Sequence, residues 1–394
     1  MTNPVFIVGA ARTAIGSFGG ALNGIAPVDL GIHVTREAVT RSGVDAASIG
    51  SQVVGHVIRT DIKDAYMARR VTVGADLPYS TQSLTLNRLC GSGLEAITFA
   101  AQQIQLGEVG VAVAGGAESM SCAGHLLTTN RWGQKMGDSA VQDELTGALT
   151  DPFGVGHMGI TAENLAEKYS ISREQQDEFA LQSQQRALSA IDSNYFVDQI
   201  VPFEIKGRKG SVIFDTDEHP RAATSLEGLA GLKPVFKKEA GTVTAGNASG
   251  INDGAAMVVL ASEDQVEEQQ LKPLARVVSY GRCGVPNDIM GIGPVGASSI
   301  ALERAGLTVA DLAVIESNEA FAAQALSVSK EMSFPNEITN PNGGAIALGH
   351  PIGASGAILM TKLVYELHRV GGKYGLATLC IGGGQGIAMI VEAL

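Results

Sequence analysis

The chain has 394 residues, 45% of them hydrophobic, and sets 28 Lys and Arg against 40 Asp and Glu for a formal net charge of −12. That length can bury more than one core and suggests two or three domains, while the acidic balance argues against a nucleic-acid surface. Four cysteines without a CxxC pair argue against a disulfide framework or a zinc site and for a reducing compartment, the cytoplasm by default.

The first apolar stretch, Val5 to Ala10, has no basic region before it and reads as a strand, not a signal peptide. No run of about 18 apolar residues escapes polar interruption, so no membrane span is expected. Further strands are predicted at Val53 to Ile58, Val111 to Ala114, Met257 to Ala261, Ala313 to Glu316 and Leu376 to Ile381. Such near-continuous apolar runs suit a sheet covered on both faces. Helical spacing lies between them at Val28 to Arg41, Leu94 to Glu108, Ser298 to Ala305, Glu319 to Met332 and Ala357 to Val370, the last stopped by Gly371-Gly372.

The stretch from about Ser119 to Asn247 is more polar and richer in turns, and Ser172 with Gln175 has capping-box spacing at the start of a long helix. It reads as an insertion over one end of an α/β body. Its basic turn at Lys206-Gly207-Arg208-Lys209-Gly210, with Lys237-Lys238 further on, suits either a phosphorylated ligand or plain solvation. A faint internal repeat is also visible. Cys90-Gly91-Ser92-Gly93 and Gly353-Ala354-Ser355-Gly356 each open a long amphipathic helix, and Val111 to Gly116 resembles Leu376 to Gly383. Two similar halves face to face would bring distant turns together.

Those turns hold the reactive groups. In Asn87-Arg88-Leu89-Cys90-Gly91-Ser92-Gly93 the glycines permit a sharp entry to a helix, whose N-terminus favours a thiolate. A buried core cysteine is the alternative. His350, between Gly349 and Pro351, has a defined direction and suits a proton acceptor or an oxyanion donor, or else a backbone-satisfied structural role. Cys380 ends a strand before Gly382-Gly383-Gly384-Gln385-Gly386, where bare backbone N–H groups can face a developing anion; no helix pattern follows, so this is not a dinucleotide fingerprint. Asn318 could hold a water or merely cap the helix at Glu319.

Taken together, Asn-x-x-Cys-Gly-Ser-Gly at 87–93, Asn-Glu-Ala-Phe-Ala at 318–322, Gly-Gly-Ala-Ile-Ala-Leu-Gly-His-Pro-Ile-Gly at 343–353 and Cys-Ile-Gly-Gly-Gly-Gln-Gly at 380–386 resemble the thiolase family in order and spacing, from Arg12 to the C-terminus. The resemblance implies an α/β thiolase-like fold of two βαβαβ halves, residues 1–118 with 248–272 and residues 273–394, with a loop domain at 119–247 for coenzyme A binding and oligomer contacts. It implies Cys90 as the acylated nucleophile, His350 as its activator and Cys380 as the acid/base at acetyl C2. Asn318 would hold a water that forms one oxyanion site with His350, and the N–H groups of Cys90 and Gly382 would form the other. His157, Met158, Arg221, Ser249 and Met290 would contact coenzyme A or the acyl group. Gly228 departs from the serine of several short-chain members, and Gly124 from a usual proline.

The implied enzyme is an acetyl-CoA C-acyltransferase, joining two acetyl-CoA to acetoacetyl-CoA or cleaving short-chain 3-ketoacyl-CoA with CoA. It would need no cofactor or metal, bind neither nucleic acid nor membrane, and form a homotetramer built from dimers through the region Arg131 to Asp138. The alternatives are a related ketosynthase-like condensing enzyme, disfavoured because its second active-site position would be a histidine where Cys380 stands, and a silent acyl-CoA-binding protein.

Overall fold

The computed structural model describes residues 3–207 and 210–394, so Arg208 and Lys209 of the basic turn lie outside the described residues. The main sheet runs in the spatial order Gln82–Leu86, Ile49–Gly55, Val111–Ser119, Asn252–Ser262, Val5–Arg12, Ala275–Gly284, Gln385–Ala393, Tyr374–Ile381 and Leu312–Ser317. Ile49–Gly55 is parallel to both its neighbours, and Asn252–Ser262 is antiparallel to both of its own. On the other side, Leu312–Ser317 pairs parallel with Tyr374–Ile381, and the next two pairings are antiparallel.

Within the sheet the two sides pair through Phe6 and Ile7, opposite Arg276 and Ala275. The halves thus repeat the same strand pattern. Where the first half has the outer strand Gln82–Leu86, the second has a single parallel bridge between Ile315 and Thr339.

The strand predicted at Val53 to Ile58 begins four residues earlier and ends at Gly55. Gln82–Leu86, Ala275–Gly284 and Gln385–Ala393 are absent from the sequence reading: the first two alternate polar and apolar side chains, whereas the apolar run Ile387 to Val391 is passed over behind the glycine turn at 382–386. The capping box at Ser172 is present: Gln175 N–H donates to the Ser172 hydroxyl at 3.3 Å, and Ser172 N–H donates to the Gln175 side chain at 2.9 Å. It opens the helix Arg173–Asp192. Among the described residues no helix is long and apolar enough to cross a membrane.

The helices Ser92–Gln105 and Ser355–Val370 pack on each other and on strands of both halves. Their contact is reciprocal. A Cβ on Gly93 would lie 2.8 Å from Ala357 N, and one on Gly356 would lie 2.3 Å from Leu94 N. No side chain fits at either point, so the two helix N-termini and their preceding turns are held side by side.

Candidate active site

Cys90 sits one residue before the cap of the helix Ser92–Gln105. Its turn is built by side chains that grip the backbone. Asn87 Oδ1 accepts from Leu89 N at 2.9 Å, and Ser92 Oγ accepts from Arg88 N at 2.8 Å while donating to Leu89 O at 2.7 Å. Leu89 is thereby held at φ +47, a left-handed conformation unusual for a bulky residue.

Cys90, His350 and Gly382 line one cavity of about 290 Å³, with His157, Met158, Ser249 and Met290 in the same wall. Turns remote in the sequence therefore converge. Cys380 is fully buried and packs with Met158, Met290, Ala320 and Phe321, all of which line the cavity. The two thiols are near enough that charge on Cys90 would raise the Cys380 pKa.

His350 follows Gly349, whose φ of +107 and whose contact with Asn252 admit no side chain. Its backbone N–H donates to Asn252 Oδ1 at 2.9 Å. Its Nδ1 lies 2.6 Å from Ser355 Oγ, and that hydroxyl donates to Pro351 O at 2.8 Å. With the hydroxyl proton so directed, Nδ1 carries the ring proton and Nε2 keeps its lone pair. The Asn318 amide lies 3.4 Å from Nε2 and is oriented to donate to it.

Burial sets the resting protonation states. It holds His350 down at about 4, so the imidazole is neutral. It pushes the Cys90 thiol up to about 11, against the Gly382 and Cys90 N–H groups, which favour the thiolate; the Glu118 charge adds to the rise. Cys380 is raised further, again mainly by burial. The helix N-terminus favours a thiolate at Cys90, but burial outweighs it, and the sulfur rests as a thiol.

Of the expected coenzyme contacts, His157 caps the helix Met158–Tyr169, its Nδ1 accepting from Gly159 N at 3.1 Å, and stacks on Phe236 with ring centroids 4.7 Å apart. A Cβ on Gly159 would fall 2.1 Å from that Phe236 ring. Burial lowers the His157 pKa. Arg221 is not in the thiol cavity; it lines a neighbouring one of about 240 Å³ with His219 and Gly228, and the two cavities share Ala245. Gly124, at the position of the usual proline, donates its N–H to Arg59 O at 2.9 Å, a bond proline cannot make.

Asn318 does not cap the following helix, which starts at Ala322 with Phe321 at the cap. Glu319 instead turns inward and accepts from Ser183 Oγ at 2.6 Å and Asn340 Nδ2 at 2.8 Å. Ser355, Asn252 and Phe236 escape the sequence reading. Ser355 has a signal, since it opens a helix five residues after His350. Among the described residues no cluster of side chains is arranged to hold a metal ion.

Comparison with known proteins matches residues 5–264 to the thiolase N-terminal domain and residues 271–393 to the thiolase C-terminal domain. The chain belongs to the thiolase family. It is 55% identical to the beta-ketothiolase BktB of Cupriavidus necator over 394 residues, all of both chains. Among solved structures, Bacillus anthracis acetyl-CoA acetyltransferase superposes with a TM-score of 0.97 at 48% identity, covering 100% of this chain and 99% of that one. Human mitochondrial 3-ketoacyl-CoA thiolase in complex with CoA gives 0.96 at 46% identity, covering 100% and 98%. This thiolase is therefore an acyltransferase, and its two half-sheets are those of the thiolase fold.

Proposed function

We propose that this thiolase interconverts two acetyl-CoA with acetoacetyl-CoA and CoA, and cleaves other short-chain 3-ketoacyl-CoA, by a ping-pong reaction through an acyl group on Cys90. The observation that carries the reading is the convergence of Cys90, His350 and Gly382 on one cavity with Cys380 in the packing behind its wall.

His350 Nε2 takes the Cys90 proton as the sulfur attacks a thioester carbonyl. The new oxyanion receives the Cys90 and Gly382 N–H groups, and the CoA sulfur leaves with the proton of the Cys380 thiol, so Cys380 becomes a thiolate while His350 keeps the Cys90 proton on Nε2. Donors already aimed at such an oxygen are worth roughly 10²–10³ in rate. The Cys380 thiolate then removes a C2 proton from the second acetyl-CoA, whose enolate oxygen receives the His350 Nε2–H and a water held by Asn318. The C2 carbanion attacks the acyl-Cys90 carbonyl, and collapse of the adduct expels the Cys90 sulfur, which takes back the proton held on His350 Nε2. In the cleavage direction Cys380 deprotonates CoA. The roles proposed for these residues call for no prosthetic group; CoA thioesters are the substrates.

His157, Met158, Ser249 and Met290 would bind the pantetheine arm and acyl group, and Arg221 in the adjoining cavity the outer part of the coenzyme. Residues 119–247 would act as the loop domain between the halves 1–118 with 248–272 and 273–394. A homotetramer accounts for Trp132 and Met136, exposed at 91% and 90% beside the hairpin of His125–Leu127 and Val141–Asp143. The edge strand Gln82–Leu86 offers a seam for the dimer. Four free cysteines suit the cytoplasm.

Mixing acetoacetyl-CoA with CoA should bleach the 3-keto absorbance, and acetyl-CoA in deuterated buffer should exchange its C2 protons. Cys380→Ser should lose the exchange by about 10²-fold or more while still acylating at Cys90. An unbleached 3-keto band would favour a silent acyl-CoA-binding protein, and undiminished exchange in Cys380→Ser would remove that residue's role.

A further inference from the structure

Beneath the cavity lies a second set of buried charges. Glu118, near the end of a strand whose every residue from Val111 to Ser119 is buried, is itself fully inaccessible. Its carboxylate accepts three backbone N–H groups: Val57 at 3.1 Å, Ile58 at 3.1 Å and Gly353 at 2.9 Å. His56 Nδ1 lies 3.2 Å from Glu118 Oε1 and 3.0 Å from Ala117 O, and its Nε2 lies 3.6 Å from Asp64, which Arg70 meets at 3.1 Å. Burial opposes a charge on His56, but Glu118 and Asp64 lift it to about 10, so the imidazolium persists at neutral pH.

Two consequences follow for the reaction. The Gly353 N–H belongs to the turn Pro351-Ile352-Gly353 that links His350 to its ring partner Ser355, and Glu118 is the first-half side chain that anchors this turn. A Cβ on Gly353 would lie 2.4 Å from the Glu118 carboxylate, so the fit is close. A negative charge on Glu118 also raises the Cys90 pKa; Cys380 lies close by, and His350 and His157 line the same cavity.

We propose that the Glu118–His56 pair is a positioning device for the reacting groups: Glu118 fixes the turn that aims His350, and the His56 cation offsets the charge Glu118 presents to Cys90. This rests on Cys90 and His350 being the reacting pair. Neither Glu118 nor His56 touches substrate in this arrangement, and neither lines the cavity.

The test uses the full-length enzyme with Glu118→Gln and His56→Gln. A glutamine amide would turn N–H groups toward backbone donors that need an acceptor, so the turn should loosen. Misaimed groups of this kind cost about tenfold to 10²-fold in rate, so both variants should lose kcat by about tenfold or more while the KM for CoA stays within about twofold. Iodoacetamide labelling of Cys90 at about pH 8 should move in opposite directions, several-fold faster in Glu118→Gln and several-fold slower in His56→Gln. A purely structural weakening would shift both the same way.

Labelling changes of one sign, or a kcat loss below about tenfold in either variant, would overturn the proposal. If Glu118→Gln does not fold, His56→Gln decides alone, and labelling as fast as in the parent enzyme refutes the offset. His350→Ala run alongside separates the levels: if it retains parental kcat the underlying pair is wrong, whereas if it is slow and the other two are not, only this inference falls.

Discussion

The turns at Asn87–Gly93 and Gly349–Gly356 occupy matching places in the two halves, yet one presents a sulfur and the other an imidazole. Both lead into a buried helix whose first residue is a serine, Ser92 or Ser355, and the next residue of each helix is the glycine at which the helices touch. Both serines hydrogen-bond backward. Ser92 spends its hydroxyl on backbone alone, from Arg88 N and to Leu89 O, which locks Leu89 in its strained conformation and leaves the Cys90 side chain free. Ser355 also binds backbone, at Pro351 O, but its lone pair takes the ring proton of His350. The repeated scaffold supplies two equivalent positions, and what each serine grips distinguishes the turn of the proposed nucleophile from that of the proposed base.

Replacing Cys90, the proposed nucleophile, breaks the comparison most severely. Cys90→Ser should lower turnover by about 10³-fold or more, since a hydroxyl is far less acidic than the thiol and the neutral imidazole is a weak base. Labelled acetyl-CoA followed by mass analysis of the intact chain checks this, and an adduct at parental levels on the variant would reject Cys90 as the acylation site.

The serines offer a finer cut. Ser355→Ala should free the His350 ring and lower kcat by about tenfold to 10²-fold with little change in KM. Ser92→Ala should act mainly on stability, by about 1–2 kcal/mol through the lost turn contacts, since its hydroxyl touches no reacting group. Urea midpoints and steady-state rates on both variants distinguish the roles; equal loss of kcat would show that the turns are not specialised as described.

Much of this site was legible in the sequence because the same features that shape it are local. Glycines at 91, 93, 349, 353 and 382 announce sharp turns, and reactive residues placed among them stand out. The apolar strands Val111–Ser119 and Tyr374–Ile381 were visible for the same reason, as continuous runs. What stayed hidden depends on partners distant in the chain. Glu319 reads from sequence as a helix-start residue, yet it is buried against Ser183 and Asn340, partners that no local pattern points to. Nor could spacing show that desolvation at Cys90 exceeds the pull of a helix end, because that balance depends on how much water the assembled cavity excludes. Glu118 did leave a trace: a carboxylate closing a strand of otherwise apolar and small residues must find donors or destabilise the core.

The least of the expected effects compares buried histidines of opposite kind. His350 and His219 are each held down at about 4, mainly by burial, so between pH 6.5 and 4 the unfolded chain binds protons that the native state refuses. Their contribution is complete above that window and is lost as pH falls through it. His56, lifted to about 10, behaves in reverse: its contribution is complete below pH 6.5 and is lost as pH rises toward 10. Glu316, raised to about 7 by burial, loses its contribution as pH rises from 4.5 to about 7, and above about pH 8.5 the raised thiols of Cys90, Cys283 and Cys380 add losses of the same sign, since the unfolded thiols ionise first, so the interval from about 7 to 8.5 isolates His56. Stability measured by urea unfolding should therefore fall on both sides of neutrality, by roughly 1–2 kcal/mol for His350 between about pH 7 and 5. His350→Ala should flatten the acid side, with His219, His157 and His33, all lowered by burial, leaving a remainder, and His56→Gln should flatten the span from about 7 to 8.5. If His350→Ala alters the alkaline side instead, the imidazole that the second turn carries is charged in the native state, and the contrast between the two buried histidines is wrong.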